Sequence, residues 1–61
     1  MPVVIVEMWE GRTIEQKRTL TEGITETFSK IGTAPDKLII IFKDNAKHNW
    51  AQNGKLASET K

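Results

Sequence analysis

The chain contains no cysteine and only one histidine in 61 residues. Without cysteine it can form neither a disulfide nor a cysteine-type zinc site, and it has no cysteine nucleophile. His48 alone cannot anchor a histidine-rich metal site. The sequence also lacks a Ser-His-Asp set and a glycine-rich phosphate loop. We therefore expect a protein without a metal or a cofactor.

The chain also lacks an excess of charge of either sign and any long hydrophobic run. Nine Lys and Arg residues face eight Asp and Glu residues, for a formal charge of +1. A nucleic-acid-binding protein would need a concentrated basic face. The longest apolar run after the first strand, Leu38 to Phe42, is far below the roughly 20 residues of a membrane span. No segment before residue 2 could be a signal peptide, and we expect a cytoplasmic protein that binds neither nucleic acid nor membrane.

The short length bounds the size of the core. We expect residues 1–61 to form a single domain, and a folded monomer of 6.9 kDa should expose about 4,000 Å² of surface. The core of such a domain is thin, and the usual remedies are disulfides, a structural metal or oligomerisation. Because the chain can form no disulfide and no cysteine-type or histidine-rich metal site, we expect it to gain stability by association with further copies of itself.

Three patterns predict regular structure. The β-branched segment from Val3 to Trp9 predicts a strand with apolar residues on both faces. Thr13 and Gln16 fit a capping box, Gly32 fits the position after a helix, and Pro35 prevents continuation. The helix between these signals has one apolar stripe, whose residues recur at spacings of three or four after the first turn. They are Ile14, Leu20, Ile24, Phe28 and Ile31.

The rest of the chain predicts two further elements. Leu38 to Phe42 predicts a second buried strand. Asn53-Gly54 is a type I′ turn signal that would pair residues 50–52 with 55–57 in a hairpin. The result is an α/β (α+β) fold: a β-α-β subunit with parallel strands and a short C-terminal hairpin. Two strands and one helix leave a sheet face and strand edges uncovered, which predicts a homo-oligomer.

Pro2 is the residue with the most distinctive chemistry. Removal of Met1, which is favoured before a small residue, would leave proline as the amino terminus with a secondary amine. Terminal amines have pKa values of about 7.7–8.0, and partial burial or a nearby cation lowers the pKa. A neutral amine in an apolar pocket is a good general base. Pro2 is therefore a candidate catalytic base.

Several segments together resemble the 4-oxalocrotonate tautomerase family over nearly the whole chain. They are Pro2 with the β-branched strand, Glu10-Gly11-Arg12-Thr13 with Glu15-Gln16-Lys17, Ala34-Pro35, Asn49-Trp50-Ala51 and Gly54-Lys55-Leu56-Ala57-Ser58. The resemblance implies a cofactor-independent isomerase that moves a proton on a small 2-keto or 2-hydroxydienoic acid. It also implies dimer units, commonly assembled into a hexamer, with active sites shared between subunits.

The resemblance further implies site residues. Pro2 would be the catalytic base and Arg12 would hold a substrate carboxylate. Trp50 would form an apolar wall, and Trp9 would lie at the mouth of the pocket. The family's second arginine, on the second strand, corresponds here to Ile39 or Ile40, and neither can stabilise an enolate.

Two alternatives to the tautomerase interpretation follow. The chain could be a homo-oligomer that has kept this fold with little or no catalysis. It could also be a hydratase or dehalogenase in which the protonated proline acts as an acid. That reaction needs a carboxylate to activate water, and Glu7 and Glu10 are the nearest candidates in sequence.

Overall fold

The computed structural model describes residues 2–59. Met1, whose removal would free the Pro2 nitrogen, lies outside the described residues, as do residues 60 and 61. The elements, in chain order, are strand β1 (Val3–Trp9), helix α1 (Ile14–Lys30), strand β2 (Ile39–Asn45), and strands β3 (Ala51–Gln52) and β4 (Lys55–Leu56). Short 3₁₀ turns occupy Pro35–Lys37, Lys47–Asn49 and Ala57–Glu59. The predicted β-α-β subunit with a C-terminal hairpin is confirmed.

Strands β1 and β2 form a parallel two-stranded sheet. The register runs from Val3 opposite Ile39 to Trp9 opposite Asn45. Alternate residues of β1 differ in exposure: Val4, Val6 and Met8 are half-buried, whereas their neighbours in the strand are exposed. One face of the sheet is therefore partly covered within the chain and the other is open.

Helix α1 begins and ends as the capping residues predict. The Thr13 N–H donates to Gln16 Oε1 at 3.0 Å, and the Gln16 N–H donates to Thr13 Oγ1 at 3.1 Å. At the other end Gly32 has a φ of 94°, which glycine adopts without strain. The N–H groups of Gly32 and Thr33 donate to Ser29 O and Phe28 O, which is a Schellman motif.

The predicted apolar stripe of the helix is covered only in its middle. Ile24 and Phe28 are half-buried, but Ile14 and Ile31 are each 75% exposed and Leu20 is 40% exposed. Ile14 is the first helical residue and Ile31 is the C-cap. The ends of the stripe thus remain open within one chain.

The predicted end of the second strand is wrong. The apolar run stops at Phe42, but β2 continues through Lys43, Asp44 and Asn45. Backbone pairing needs N–H and C=O groups rather than apolar side chains, and the partner strand extends as far as Trp9. The polar side chains also find partners: Lys17 Nζ lies 2.8 Å from Asp44 Oδ2, and Asn45 Nδ2 donates to Glu7 Oε1 at 3.1 Å.

The predicted hairpin is confirmed. Strands β3 and β4 pair antiparallel around Asn53 and Gly54, whose φ values of 56° and 76° are those of a type I′ turn. The Ala57 N–H donates to Trp50 O at 2.7 Å, which extends the pairing beyond the two strands.

The single chain is extended and has almost no interior. Its accessible surface is 4980 Å², compared with about 4,000 Å² expected for a compact monomer of this mass. Its radius of gyration is 14.6 Å, whereas a compact chain of this length has about 10.5 Å. Ala57 is the one buried hydrophobic residue within 2–59. The same part of the chain contains no helix of the length and apolarity that a membrane crossing requires.

Candidate active site

The parallel sheet brings two loops to one edge. Because parallel strands end at the same side of a sheet, the segment after Trp9 and the segment after Asn45 both begin at the carboxyl edge. The Glu10 N–H donates to Asn45 O at 2.9 Å and joins them. Arg12 follows the first strand at this edge, and Trp50 follows the second.

The two tryptophans are in direct contact at this edge. The Trp9 and Trp50 rings lie edge to face, with centroids 6.0 Å apart and an interplanar angle of 79°. This T-shaped arrangement is favourable because the positive edge of one ring meets the negative face of the other. Lys47 Nζ lies 5.0 Å from the centroid of the Trp9 ring, within cation–π range.

A pocket of about 220 Å³ opens beside the tryptophan pair. We call it the two-tryptophan pocket; its lining residues are Trp9, Trp50, Gln52, Asn53, Lys55 and Ala57. The indoles provide apolar walls, the amide side chains provide hydrogen-bonding groups, and Lys55 provides a positive charge. The pocket can therefore accept a small, flat molecule that carries a negative charge.

Arg12 lines a different cleft. Together with Met8, Gln16, Thr19 and Leu20 it borders a space of about 400 Å³ between β1 and α1. Its guanidinium is in none of the ion pairs found within residues 2–59, and it is free to form two parallel hydrogen bonds to a carboxylate.

Pro2 lies at the opposite edge of the sheet. Its carbonyl accepts a hydrogen bond from the Ile39 N–H at 3.1 Å, and the residue is half-buried. The seven residues of β1 separate it from the carboxyl edge by about 23 Å. One chain thus brings Trp9 and Trp50 together, with Arg12 at the same edge, but holds Pro2 away from them.

The two isoleucines that could correspond to the family's second arginine face opposite sides of β2. Ile39 is opposite Val3, directly beside Pro2, and is 43% exposed on the open face of the sheet. Ile40 is half-buried on the other face. Neither side chain carries a charge at the amino edge.

The site residues expected from the sequence do not include the two lysines at the tryptophan pair. Lys55 belongs to the segment Gly54-Lys55-Leu56-Ala57-Ser58 of the resemblance, but nothing in the sequence places it or Lys47 beside the tryptophans, and only the fold does so. Residues 2–59 contain no group of three or more His, Cys, Asp or Glu side chains that could hold a metal ion.

Comparison with known proteins gives a consistent result. The family model described as "Tautomerase enzyme" matches residues 2–59. A probable tautomerase of Bacillus cereus is 42% identical over 97% of this chain and 98% of its own length. The 2-hydroxymuconate tautomerase of Bacillus subtilis (strain 168) is 40% identical over 97% of each chain.

Solved structures agree with the sequence comparisons. The crystal structure of YwhB, a homologue of 4-oxalocrotonate tautomerase, has a TM-score of 0.92 at 38% identity and covers 98% of this chain and 100% of its own. A structure from a study of trans-3-chloroacrylic acid dehalogenase activity has a TM-score of 0.81 at 27% identity, covering 90% and 97% of the two chains.

Proposed function

This chain belongs to the tautomerase family of isomerases, and we propose that it catalyses keto–enol or 1,3-proton transfer on a small 2-keto or 2-hydroxydienoic acid. The amino-terminal nitrogen of Pro2 acts as the general base after removal of Met1. Arg12 holds the substrate carboxylate, and Trp50 and Trp9 form the walls of the pocket.

The observation that carries this proposal is the match of the tautomerase family model over residues 2–59, and the separation of Pro2 from Arg12 indicates how the site is assembled. The base lies at the amino edge of the sheet and the carboxylate anchor lies at the carboxyl edge, with the length of β1 between them. A working site therefore takes Pro2 from one subunit and Arg12 with the tryptophans from another. The extended single chain, with its open sheet face, supports such an assembly.

The chemistry requires one group that accepts and returns a proton. The neutral amine of Pro2 removes a proton from the 2-hydroxyl of a dienol, or from the carbon next to a ketone. The resulting dienolate is delocalised toward the carboxylate that Arg12 grips through paired hydrogen bonds. The protonated proline then delivers the proton to a different atom of the delocalised system, a carbon in the ketonisation of a dienol. The enzyme thereby returns to its starting state without a cofactor. Apolar indole walls favour the neutral form of the amine.

The assembly is a homo-oligomer of this single domain, residues 1–61, built from dimer units into a hexamer. The open face of the sheet consists largely of exposed apolar side chains. They are Val3, Ile5, Ile39 and Ile41, each between 41% and 53% exposed. A contiguous apolar face of this kind marks an interface. Burying it in an assembly also supplies the core that one chain lacks.

A second candidate is hydration or dehalogenation of a haloacrylate, for which the solved structure from the trans-3-chloroacrylic acid dehalogenase study is the motivating observation. This reaction needs a carboxylate near the base. Glu7 is on the open face of β1 and accepts a hydrogen bond from Asn45, and Glu10 lies at the carboxyl edge. Chloride release from trans-3-chloroacrylate distinguishes this activity from ketonisation.

The test combines intact mass with ketonisation of 2-hydroxymuconate and phenylenolpyruvate. Wild type and Pro2→Ala are compared, because alanine is also small enough to permit removal of Met1. We expect both proteins to lack Met1. Pro2→Ala replaces the ring-held secondary amine by a primary amine that can rotate, and it should lose about 10²-fold in rate, at the low end of what a positioned general base contributes. Retention of Met1 in wild type, or equal rates in the two proteins, would overturn the role of Pro2.

A further inference from the structure

The two-tryptophan pocket has a chemical character of its own. Two indole rings fixed edge to face form its walls, and no carboxylate is among its lining residues. Lys55 is part of the wall, and the Lys47 ammonium lies against the Trp9 ring. One positive charge therefore lies in the wall of the pocket, and a second lies against the Trp9 ring that forms part of the same wall.

Neither lysine is neutralised within the described chain. The ion pairs found in residues 2–59 join Lys17 to Asp44 and Arg18 to Glu15. Both pairs lie on α1 or between α1 and β2, away from the hairpin. The Glu59 carboxylate, which is near in sequence to Lys55, accepts a hydrogen bond from the Leu56 N–H at 3.3 Å.

We propose that the two-tryptophan pocket binds the planar conjugated body of the substrate and that Lys55 and Lys47 supply the charge that holds its second carboxylate, the one that Arg12 does not hold. This inference rests on the proposed function, because it assigns a substrate-binding role to residues of the same site. Lys55 contacts the carboxylate directly, and Lys47, held on the Trp9 ring, adds to the positive field at the cleft.

The size and shape of the pocket define the ligand class. A volume of about 220 Å³ is below the roughly 300–1,000 Å³ typical of pockets for drug-sized ligands, so it suits a small acid. A flat π system stacks against an indole better than a saturated chain does. Charge-assisted hydrogen bonds from lysine are stronger than neutral ones, so the anion is preferred over a neutral analogue of the same shape.

The experiment uses trans-cinnamate and its neutral analogue cinnamamide as probes of the assembled protein. Cinnamate is a planar conjugated monocarboxylate without the keto or hydroxyl group needed for turnover. Affinities are measured by calorimetry, and the indole N–H signals in NMR spectra locate the site, because Trp9 and Trp50 are the two tryptophans of the chain. We expect cinnamate to shift both signals and to bind more tightly than cinnamamide.

The decisive variant is Lys47→Gln/Lys55→Gln, the pocket variant. The control variant is Lys30→Gln/Lys37→Gln, which has the same net charge but carries its two substitutions away from the pocket. All four lysines are exposed, so these changes should preserve the fold, which circular dichroism and the oligomeric mass verify. We expect the pocket variant to bind cinnamate about tenfold more weakly, with cinnamamide unchanged. The control variant should bind both probes as wild type does.

The same titration in a Pro2→Ala background separates this inference from the proposed function. Cinnamate binding should persist there, whether or not ketonisation is lost. If Pro2→Ala is inactive but the pocket variant still prefers cinnamate as strongly as wild type, the catalytic proposal stands and the role of the lysines is wrong. If Pro2→Ala is fully active while the pocket variant loses its preference, the anion site is real and the catalytic proposal fails.

Discussion

The rings of Trp9 and Trp50 meet edge to face with their centroids 6.0 Å apart. Trp9 ends β1, and Trp50 directly precedes the C-terminal hairpin. The contact therefore connects the hairpin to the carboxyl edge of the main sheet. Any ligand in the adjoining pocket is bound by two segments that are remote in sequence.

The first prediction concerns the strength of this contact. A double-mutant cycle with Trp9→Leu and Trp50→Leu should give a coupling free energy of about 0.5–1.5 kcal/mol, the value for edge-to-face aromatic pairs. Urea unfolding at a fixed protomer concentration measures it. As a control, Trp9→Leu combined with Phe28→Leu should be additive, because Phe28 lies on α1 at the other end of β1, where it borders a groove with Val4. Additivity in the tryptophan cycle would show that the ring contact contributes nothing to stability.

The second prediction tests the sharing of the site. Pro2→Ala and Arg12→Ala should each be nearly inactive when purified separately. After the two are unfolded together and reassembled in equal amounts, random mixing should restore about a quarter of the wild-type rate, because in the proposed site Pro2 and Arg12 come from different subunits.

Each variant reassembled alone is the control and should stay inactive. Wild type passed through the same procedure gives the reference rate. Mixed oligomers with no recovered activity would mean that Pro2 and Arg12 do not form a site across subunits.

The third prediction concerns the open face of the sheet. Ile5 is 53% exposed and is opposite Ile41 in the register. Ile5→Lys would place a charge in the proposed apolar interface, where it is costly without a partner. Sedimentation of Ile5→Lys should show loss of the wild-type assembly, and ketonisation should fall with it.

The matched control is Glu22→Lys on the exposed side of α1, which should keep both the assembly and the activity. An Ile5→Lys protein that sediments as wild type does would exclude this face as the interface.

The fourth prediction concerns the start of α1. Thr13→Ala removes the hydroxyl that accepts the Gln16 N–H, and the free energy of unfolding should fall by about 1 kcal/mol. Thr13→Ser keeps the acceptor and should restore most of the loss. Ser29→Ala, which removes an exposed hydroxyl late in the helix, should change stability by less than about 0.5 kcal/mol. Equal effects at positions 13 and 29 would contradict a specific role for the cap.

Local structure was largely predictable because it depends on neighbouring residues. Thr13 and Gln16 form the expected capping box, Gly32 ends the helix, and Asn53-Gly54 forms the expected turn. Each feature depends on the backbone preference of one or two residues. The end of β2 was not predictable in this way, because pairing with β1 continues beyond the apolar run on which the prediction depended.

The amino-acid sequence by itself determined the β-α-β order, the family and the need for further copies of the chain. The relative positions of the candidate site residues were decided only by tertiary structure. Parallel pairing of β1 and β2 puts Arg12, Trp50 and Lys47 at one edge and Pro2 at the other. The physical reason is that strand direction and register, which depend on long-range backbone hydrogen bonds, set which residues share an edge.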